Sequence, residues 1–235
     1  MADATVLLTV KQLCKTFTLH TQGGVRLPVF RNLDLTLHGG ECLALVGPSG
    51  AGKSSLIRCL YGNYLPQSGE IQVRHGDRMI DLATATTREM LDIRRRTIGF
   101  VSQFLRVIPR ISAIDIVAEP LRATDEDADA ARDKAAAVLT RLNIPQRLWD
   151  VAPATFSGGE QQRVNIARCL VADYPVLLMD EPTASLDPEN RQVVLDMIAE
   201  ARQRGAGIVG IFHDAKDREA VTTGEIEMAL WKDAA

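Results

Sequence analysis

Gly47-Pro48-Ser49-Gly50-Ala51-Gly52-Lys53-Ser54-Ser55 decides the fold of this chain. Four residues separate Gly47 from Gly52-Lys53-Ser54, the spacing of a phosphate-binding loop. A polyphosphate needs several donors aimed at one point, and consecutive backbone N–H groups in a tight loop supply them. Glycine lets that backbone close around an anion with no Cβ in the way. In this pattern the Lys53 ammonium reaches the β- and γ-phosphates and the Ser54 hydroxyl binds Mg²⁺. The flanks agree. Residues 41–46 read as a buried strand, and residues 54–61 as the start of a helix whose positive dipole end faces the loop.

The chain has 235 residues, enough for one large domain or a core with a lobe. Hydrophobic residues at 46% and charged residues at 24% are ordinary globular values. A net charge of −3 argues against a nucleic-acid partner. No apolar run approaches the ~20 residues of a membrane span, so membrane association is expected only through a partner. Residues 1–5 carry no basic region, and no secretory leader is expected. Cys14, Cys42, Cys59 and Cys169 lack metal-ligand spacing. Cys42 and Cys59 lie in apolar contexts, as buried free thiols of a reducing, cytoplasmic setting do.

Residues 6–10 and 29–37 read as strands joined through the polar loop 20–24, an antiparallel pair before the phosphate loop. Phe17 is a core or edge aromatic, or a stacking platform for a purine. A strand is expected at 68–73, a helix at 88–96 ending on the basic run Arg94-Arg95-Arg96, and a strand at 98–103 ending on Gln103. From residue 104 to 144 the apolar period becomes helical, with Ala135, Val138, Leu139 and Leu142 on one face. Pro109 and Pro120 punctuate this lobe, and Thr124 with Asp127 resembles a capping box. The apolar and basic stretch 104–111 is the lobe's own core or a docking surface.

Ser157 with Glu160 is a capping box opening a helix through Ile166 and Leu170. Gly158 and Gly159 weaken its first turn by about 1 kcal/mol each against Ala. That cost makes sense where exposed N–H groups approach an anion closely. Residues 175–182 form an apolar run that ends on Asp180 and Glu181. A buried strand explains the run but not the adjacent acids. The first suits a Mg²⁺ shell, and the second is placed to polarise a water. A turn follows at Ala184-Ser185-Leu186-Asp187, then a helix at 190–203 with Val193, Val194, Met197 and Ile198 inward. A last buried strand at 207–212 ends at His213-Asp214, and strand ends are where ligands bind in open α/β sheets.

Taken together these stretches resemble the ATP-binding cassette (ABC) family over essentially the whole chain. The phosphate loop, Gln103, the signature-like Phe156-Ser157-Gly158-Gly159-Glu160, the strand ending at Asp180-Glu181, Ser185-Leu186-Asp187 and His213 stand in the family's order. The signature usually starts with Leu, and Phe156 is an apolar replacement. The resemblance implies an α/β P-loop NTPase: a RecA-like core, an N-terminal antiparallel β subdomain and an inserted helical subdomain. The core and β subdomain would take residues 1–103 and 164–235, and the helical subdomain 104–163. It implies a head-to-tail dimer, homo- or heteromeric, with ATP between one subunit's residues 47–55 and the other's Ser157–Gly159. Phe17 would then stack on adenine, Lys53 hold the phosphates, and Ser54, Gln103 and Asp180 arrange Mg²⁺ and its waters. Glu181 would activate the attacking water, His213 hold the γ-phosphate, and Asp187 border the shared site. The short stretch after His213 implies no regulatory domain and reduced closing strands around 226–231.

Within the family, Tyr61-Gly62-Asn63-Tyr64-Leu65-Pro66, residues 101–110 and residues 210–214 resemble the ATP-binding subunits of bacterial phosphonate carbon–phosphorus lyase systems. That implies a soluble phosphonate-processing partner complex. Its early step, carried out in partner subunits, would form ribose 1-phosphonate 5-triphosphate from ATP and phosphonate. Two alternatives stand beside it: the ATPase of a membrane transporter of lipoprotein-release or efflux type, and an ATP-gated assembly clamp that hydrolyses slowly.

Overall fold

The structure is a computed structural model, and it describes residues 5–19, 21, 23–103, 105 and 110–230. Residues 1–4, His20 and Gln22 of the expected loop, Trp231, and Phe104, Arg106, Val107, Ile108 and Pro109 of the expected docking stretch lie outside the described residues.

The chain opens with two long antiparallel strands, β1 (Val6–Leu19) and β2 (Val25–His38). Leu8 faces Leu37, Val10 faces Leu35 and Leu13 faces Leu33, so period-2 alternation buries one face. Both strands outrun the expected 6–10 and 29–37. The polar Lys11-Gln12 step, which breaks the alternation in sequence, is absorbed by a shift of register between Val10 and Leu13. Gln12 takes a φ of +49° there, and its N–H donates to Asp34 Oδ1 at 2.8 Å. β4 (Ser68–His75) and β5 (Arg78–Asp81) complete a sheet of order β2-β1-β4-β5.

A second, parallel sheet has the order β6-β7-β8-β3-β9. Its strands are β3 (Cys42–Val46), β6 (Ile98–Val101), β7 (Val176–Asp180), β8 (Gly207–Ile211) and β9 (Gly224–Glu227). All five residues of β7 and of β8 are buried, as expected where both faces of a parallel sheet are covered. Alternate β7 residues feed two cores. Val176 and Leu178 meet the β1–β2 side and helix α1 (Lys53–Leu60), while Leu177 and Met179 meet the helical side. Among the described residues β9 is the last strand, paired parallel with β3.

On the helical side lie α3 (Ala113–Arg122), α4 (Ala128–Arg141) and α5 (Gly158–Leu170). Ala135, Leu139 and Leu142 are fully buried, with Val138 packed at the margin. One expectation is corrected, at Thr124. Pro120, which punctuates the lobe, stands within a helix. It sits inside α3 near its C-terminal end, where only one backbone hydrogen bond is forfeited. Thr124 does not cap α4. Its hydroxyl donates back to Leu121 O, and Asp127 caps instead by accepting from the N–H groups of Asp129 and Ala130. Leu139→Ala is expected to cost about 2–5 kcal/mol in chemical denaturation, because a fully buried leucine leaves a cavity.

The three remaining helices are α2 (Thr87–Arg96), α6 (Pro188–Gln203) and α7 (Ala215–Val221). In α2 the basic run is not uniformly solvated. Arg96 pairs with Asp92, but Arg94 turns inward and donates to Tyr61 O and Asn63 Oδ1. Cys42, Cys59 and Cys169 are buried free thiols, and burial pushes them up to about 12, about 11 and about 12.

Candidate functional site

The order β6-β7-β8-β3 places the carboxyl ends of four strands side by side. Gly47 follows β3, Asp180 ends β7, His213 follows β8 and Gln103 follows β6. Elements far apart in sequence thus deliver their polar ends to one edge.

The phosphate loop has glycines where a side chain cannot go. A Cβ on Gly47, at φ +136°, would lie 2.1 Å from Met228 O, and one on Gly52, at φ +91°, would lie 2.3 Å from Val29 Cγ1. Gly52 precedes α1, so the loop lies at a helix N-terminus. Lys53 Nζ curls over the loop, donating to Gly47 O at 2.7 Å and Pro48 O at 2.9 Å. Ser54 Oγ donates to Asp180 Oδ1 at 2.9 Å, joining α1 to β7. Burial raises Asp180 above the usual carboxylate range; the Ser54 hydrogen bond opposes this, and the neighbouring Glu181 charge adds to it.

Glu181 stands in the left-handed region at φ +56°, and Ser185 follows at +63°. For residues with a Cβ, such backbone costs about 1–3 kcal/mol each and persists only where surroundings impose it. The surroundings here are α5 and two side chains. Gln162 Nε2 of α5 donates to Pro182 O. The Glu181 carboxylate accepts from Gln103 Nε2 at 3.2 Å and lies 2.6 Å from His213 Nε2. Asn165 Nδ2, also on α5, donates to Ser102 O at 2.6 Å and fixes the approach to Gln103.

The capping box at Ser157 is present: Ser157 Oγ accepts from the Glu160 N–H, and Glu160 Oε2 accepts from the Ser157 N–H. A Cβ on Gly159 would stand 3.2 Å from Ser185 O, so this helix end abuts the 185–187 turn. Among the described residues no hydrogen bond or ion pair joins Ser157, Gly158 or Gly159 to the phosphate loop. Asp187 caps α6, accepting from the Asn190 N–H at 2.9 Å; that bond and the Asn190 amide hold its carboxyl below the usual range. Phe17 lies on β1 opposite Leu27, two residues along β2 from the Val29 that packs on Gly52. Its ring meets Tyr64 edge-on at 5.2 Å, and Lys15 Nζ lies 4.8 Å from its centroid.

The ABC transporter family model matches residues 30–184, from β2 through the phosphate loop to the turn after Glu181. The chain belongs to the ABC transporter family. Among its relatives, the lipoprotein-releasing system ATP-binding protein LolD of Xanthomonas axonopodis pv. citri is 36% identical over 212 residues, covering 90% of this chain and 84% of that protein. The LolD of Maricaulis maris is 41% identical over 198 residues, 84% of each. The dimeric ATP-binding cassette MJ0796 in a post-hydrolysis state, bound to ADP and Pi, superposes with a TM-score of 0.85 at 27% identity, covering 96% of this chain and 97% of that one. The fold is therefore an ABC cassette, and the protein is an ABC-type ATPase.

This ABC cassette holds neighbours that sequence reading passed over. Tyr64 sits against Phe17, and Met228 O closes over Gly47. Arg191 donates from α6 to Asp214, beside His213. None of the three left a local signal, because each joins residues more than 20 positions apart.

Proposed function

We propose that this ABC cassette is the ATP-hydrolysing subunit of a membrane transporter, working as a head-to-tail dimer on the cytoplasmic side of a membrane partner of lipoprotein-release or efflux type. Convergence of Lys53, Ser54, Gln103, Asp180, Glu181 and His213 on one sheet edge carries the hydrolytic part. The likeness to lipoprotein-releasing system ATP-binding proteins supports the transport part and favours it over a phosphonate-processing complex. The dimeric MJ0796 cassettes support a second ABC subunit.

In this reading the N–H groups of residues 47–55 and the Lys53 ammonium bind the phosphates, and Phe17 offers its ring to the adenine. Ser157, Gly158 and Gly159 of the second copy, with its Asp187 alongside, close the site. Ser54 and Asp180 would hold Mg²⁺, with Gln103 positioning its waters; a hydroxyl beside one carboxylate suits a cation that keeps most of its own water. When bound, Mg²⁺ supplies positive charge at the β- and γ-phosphates. Glu181 accepts a proton from the attacking water, and His213 orients Glu181 and meets the γ-phosphate. The same reading assigns the helical subdomain to 104–163, between core segments 1–103 and 164–235, although α5 runs across the 163/164 boundary as one helix.

The phosphonate-complex reading is kept as a second one because residues 61–66 and 101–110 resemble that subgroup. One pull-down separates them. Glu181→Gln, loaded with ATP–Mg²⁺ and drawn from phosphonate-grown cells, is expected to bring down a permease only after membranes are solubilised with detergent. Recovery of soluble phosphonate-processing subunits without detergent would replace the transporter reading with the second.

A further inference from the structure

We infer that Arg191 is a positioning residue for ATP hydrolysis: it ties the His213 loop to the first turn of α6, so that the Glu181–His213 pair follows the Ser185–Asp187 turn. The inference rests on the roles proposed above for Glu181 and His213.

The contacts form one chain. The end of α5 abuts Ser185 O at Gly159, and Arg163 Nη1 of α5 reaches within 4.0 Å of Asp187. Asp187 caps α6, and the Arg191 N–H donates to Asp187 O at 2.9 Å. From that turn Arg191 Nη1 donates to Asp214 Oδ2 at 3.1 Å. Asp214 adjoins His213 and caps α7 by accepting from the Lys216 N–H. On the other side Arg218 of α7 donates to Phe212 O and His213 O. Two guanidinium groups therefore grip the 212–214 loop, one from its own following helix and one from α6.

The second observation concerns atoms left unpaired. Arg191 Nε and Asp217 Oδ2 are both buried, have no hydrogen-bond partner among the described residues, and face each other at 4.0 Å. Asp217 is only 3% exposed. Buried polar atoms are rarely orphaned without a reason, and strain or motion at a working site is one. Asp214 and Asp217 lie three residues apart at the start of α7, so Arg191 has two carboxylates within one short movement. A cavity of about 340 Å³ lined by Glu181, Arg191, His213, Asp214 and Asp217 gives that movement room. The Arg191–Asp214 pair is itself more than a third exposed, and pairs of that kind add little to stability. Loss of that pair alone, as in Asp214→Asn, should register in turnover rather than in melting.

The test uses the full-length protein and phosphate release from ATP–Mg²⁺. Arg191→Ala is expected to lower kcat about 10- to 100-fold. The KM for ATP should stay within about twofold. The melting temperature should fall, because Arg191→Ala leaves the buried Asp217 carboxylate without the guanidinium that faces it, so kcat is read on protein shown to be folded by circular dichroism. Arg191→Lys should recover part of the rate. Asp214→Asn, which keeps the α7 cap but removes the charge, should match Arg191→Ala. The deciding measurement is the residual rate in a His213→Ala background. There Arg191→Ala should change it less than about twofold, because the two act as one unit. A further tenfold drop in that background would show a general structural role and overturn the inference, as would an unchanged kcat in both Arg191→Ala and Asp214→Asn. Wild-type hydrolysis in both His213→Ala and Glu181→Gln would instead remove the site reading beneath it.

Discussion

Lys53→Ala is expected to lose ATP binding, with affinity falling on the order of a hundredfold or more by isothermal titration calorimetry. The lysine is the one ammonium in the loop, and a hydrogen bond to a charged group contributes about 1.5–3 kcal/mol. Contacts to two phosphates make a loss of about 3 kcal/mol, which is on the order of a hundredfold. The same ammonium also bridges Gly47 O and Pro48 O, so alanine unties the loop's own carbonyls as well. The fold should survive, because Lys53 lies at the surface end of α1 while Leu56, Ile57 and Leu60 keep that helix packed. Unchanged affinity in a folded Lys53→Ala protein would contradict the assignment of this loop to phosphate.

Glu181→Gln is expected to keep ATP binding, lower hydrolysis by about 10²- to 10⁴-fold, and accumulate a closed dimer. Glutamine has the same shape, so the contacts that hold position 181 at φ +56° remain. What disappears is the carboxylate proposed to accept the water's proton. The nucleotide then stays between the two copies, and light scattering at saturating ATP–Mg²⁺ should report twice the monomer mass. A monomer under those conditions would refute the shared-site arrangement. Retained hydrolysis would mean that the base lies elsewhere.

Some of this was legible in the chain because it is local. The phosphate loop declares itself by spacing, since the donors that must converge are consecutive. The Ser157–Glu160 box was equally readable, because both partners lie within one turn. Where a local pattern had two solutions, the reading slipped. Thr124 and Asp127 could each cap α4, and Asp127 prevailed because its carboxylate accepts from two N–H groups at once. Pro120 punctuates the sequence of the lobe, yet it stands inside α3, where near the helix end its missing donor costs little.

The sequence by itself determined the strand–loop–helix around Lys53, the order of the acidic, glycine and histidine motifs, and the apolar faces of the helices. All of these follow from short-range spacing and burial period. Only the tertiary structure decided which strands are neighbours, and so that Gln103, Asp180 and His213 reach the edge that holds Gly47. It alone placed Glu181 in a left-handed backbone, set Tyr64 against Phe17, turned Arg94 inward, and joined Arg191 to Asp214. These depend on pairings between residues tens of positions apart, and parallel strand order and side-chain reach are settled by packing of the whole core.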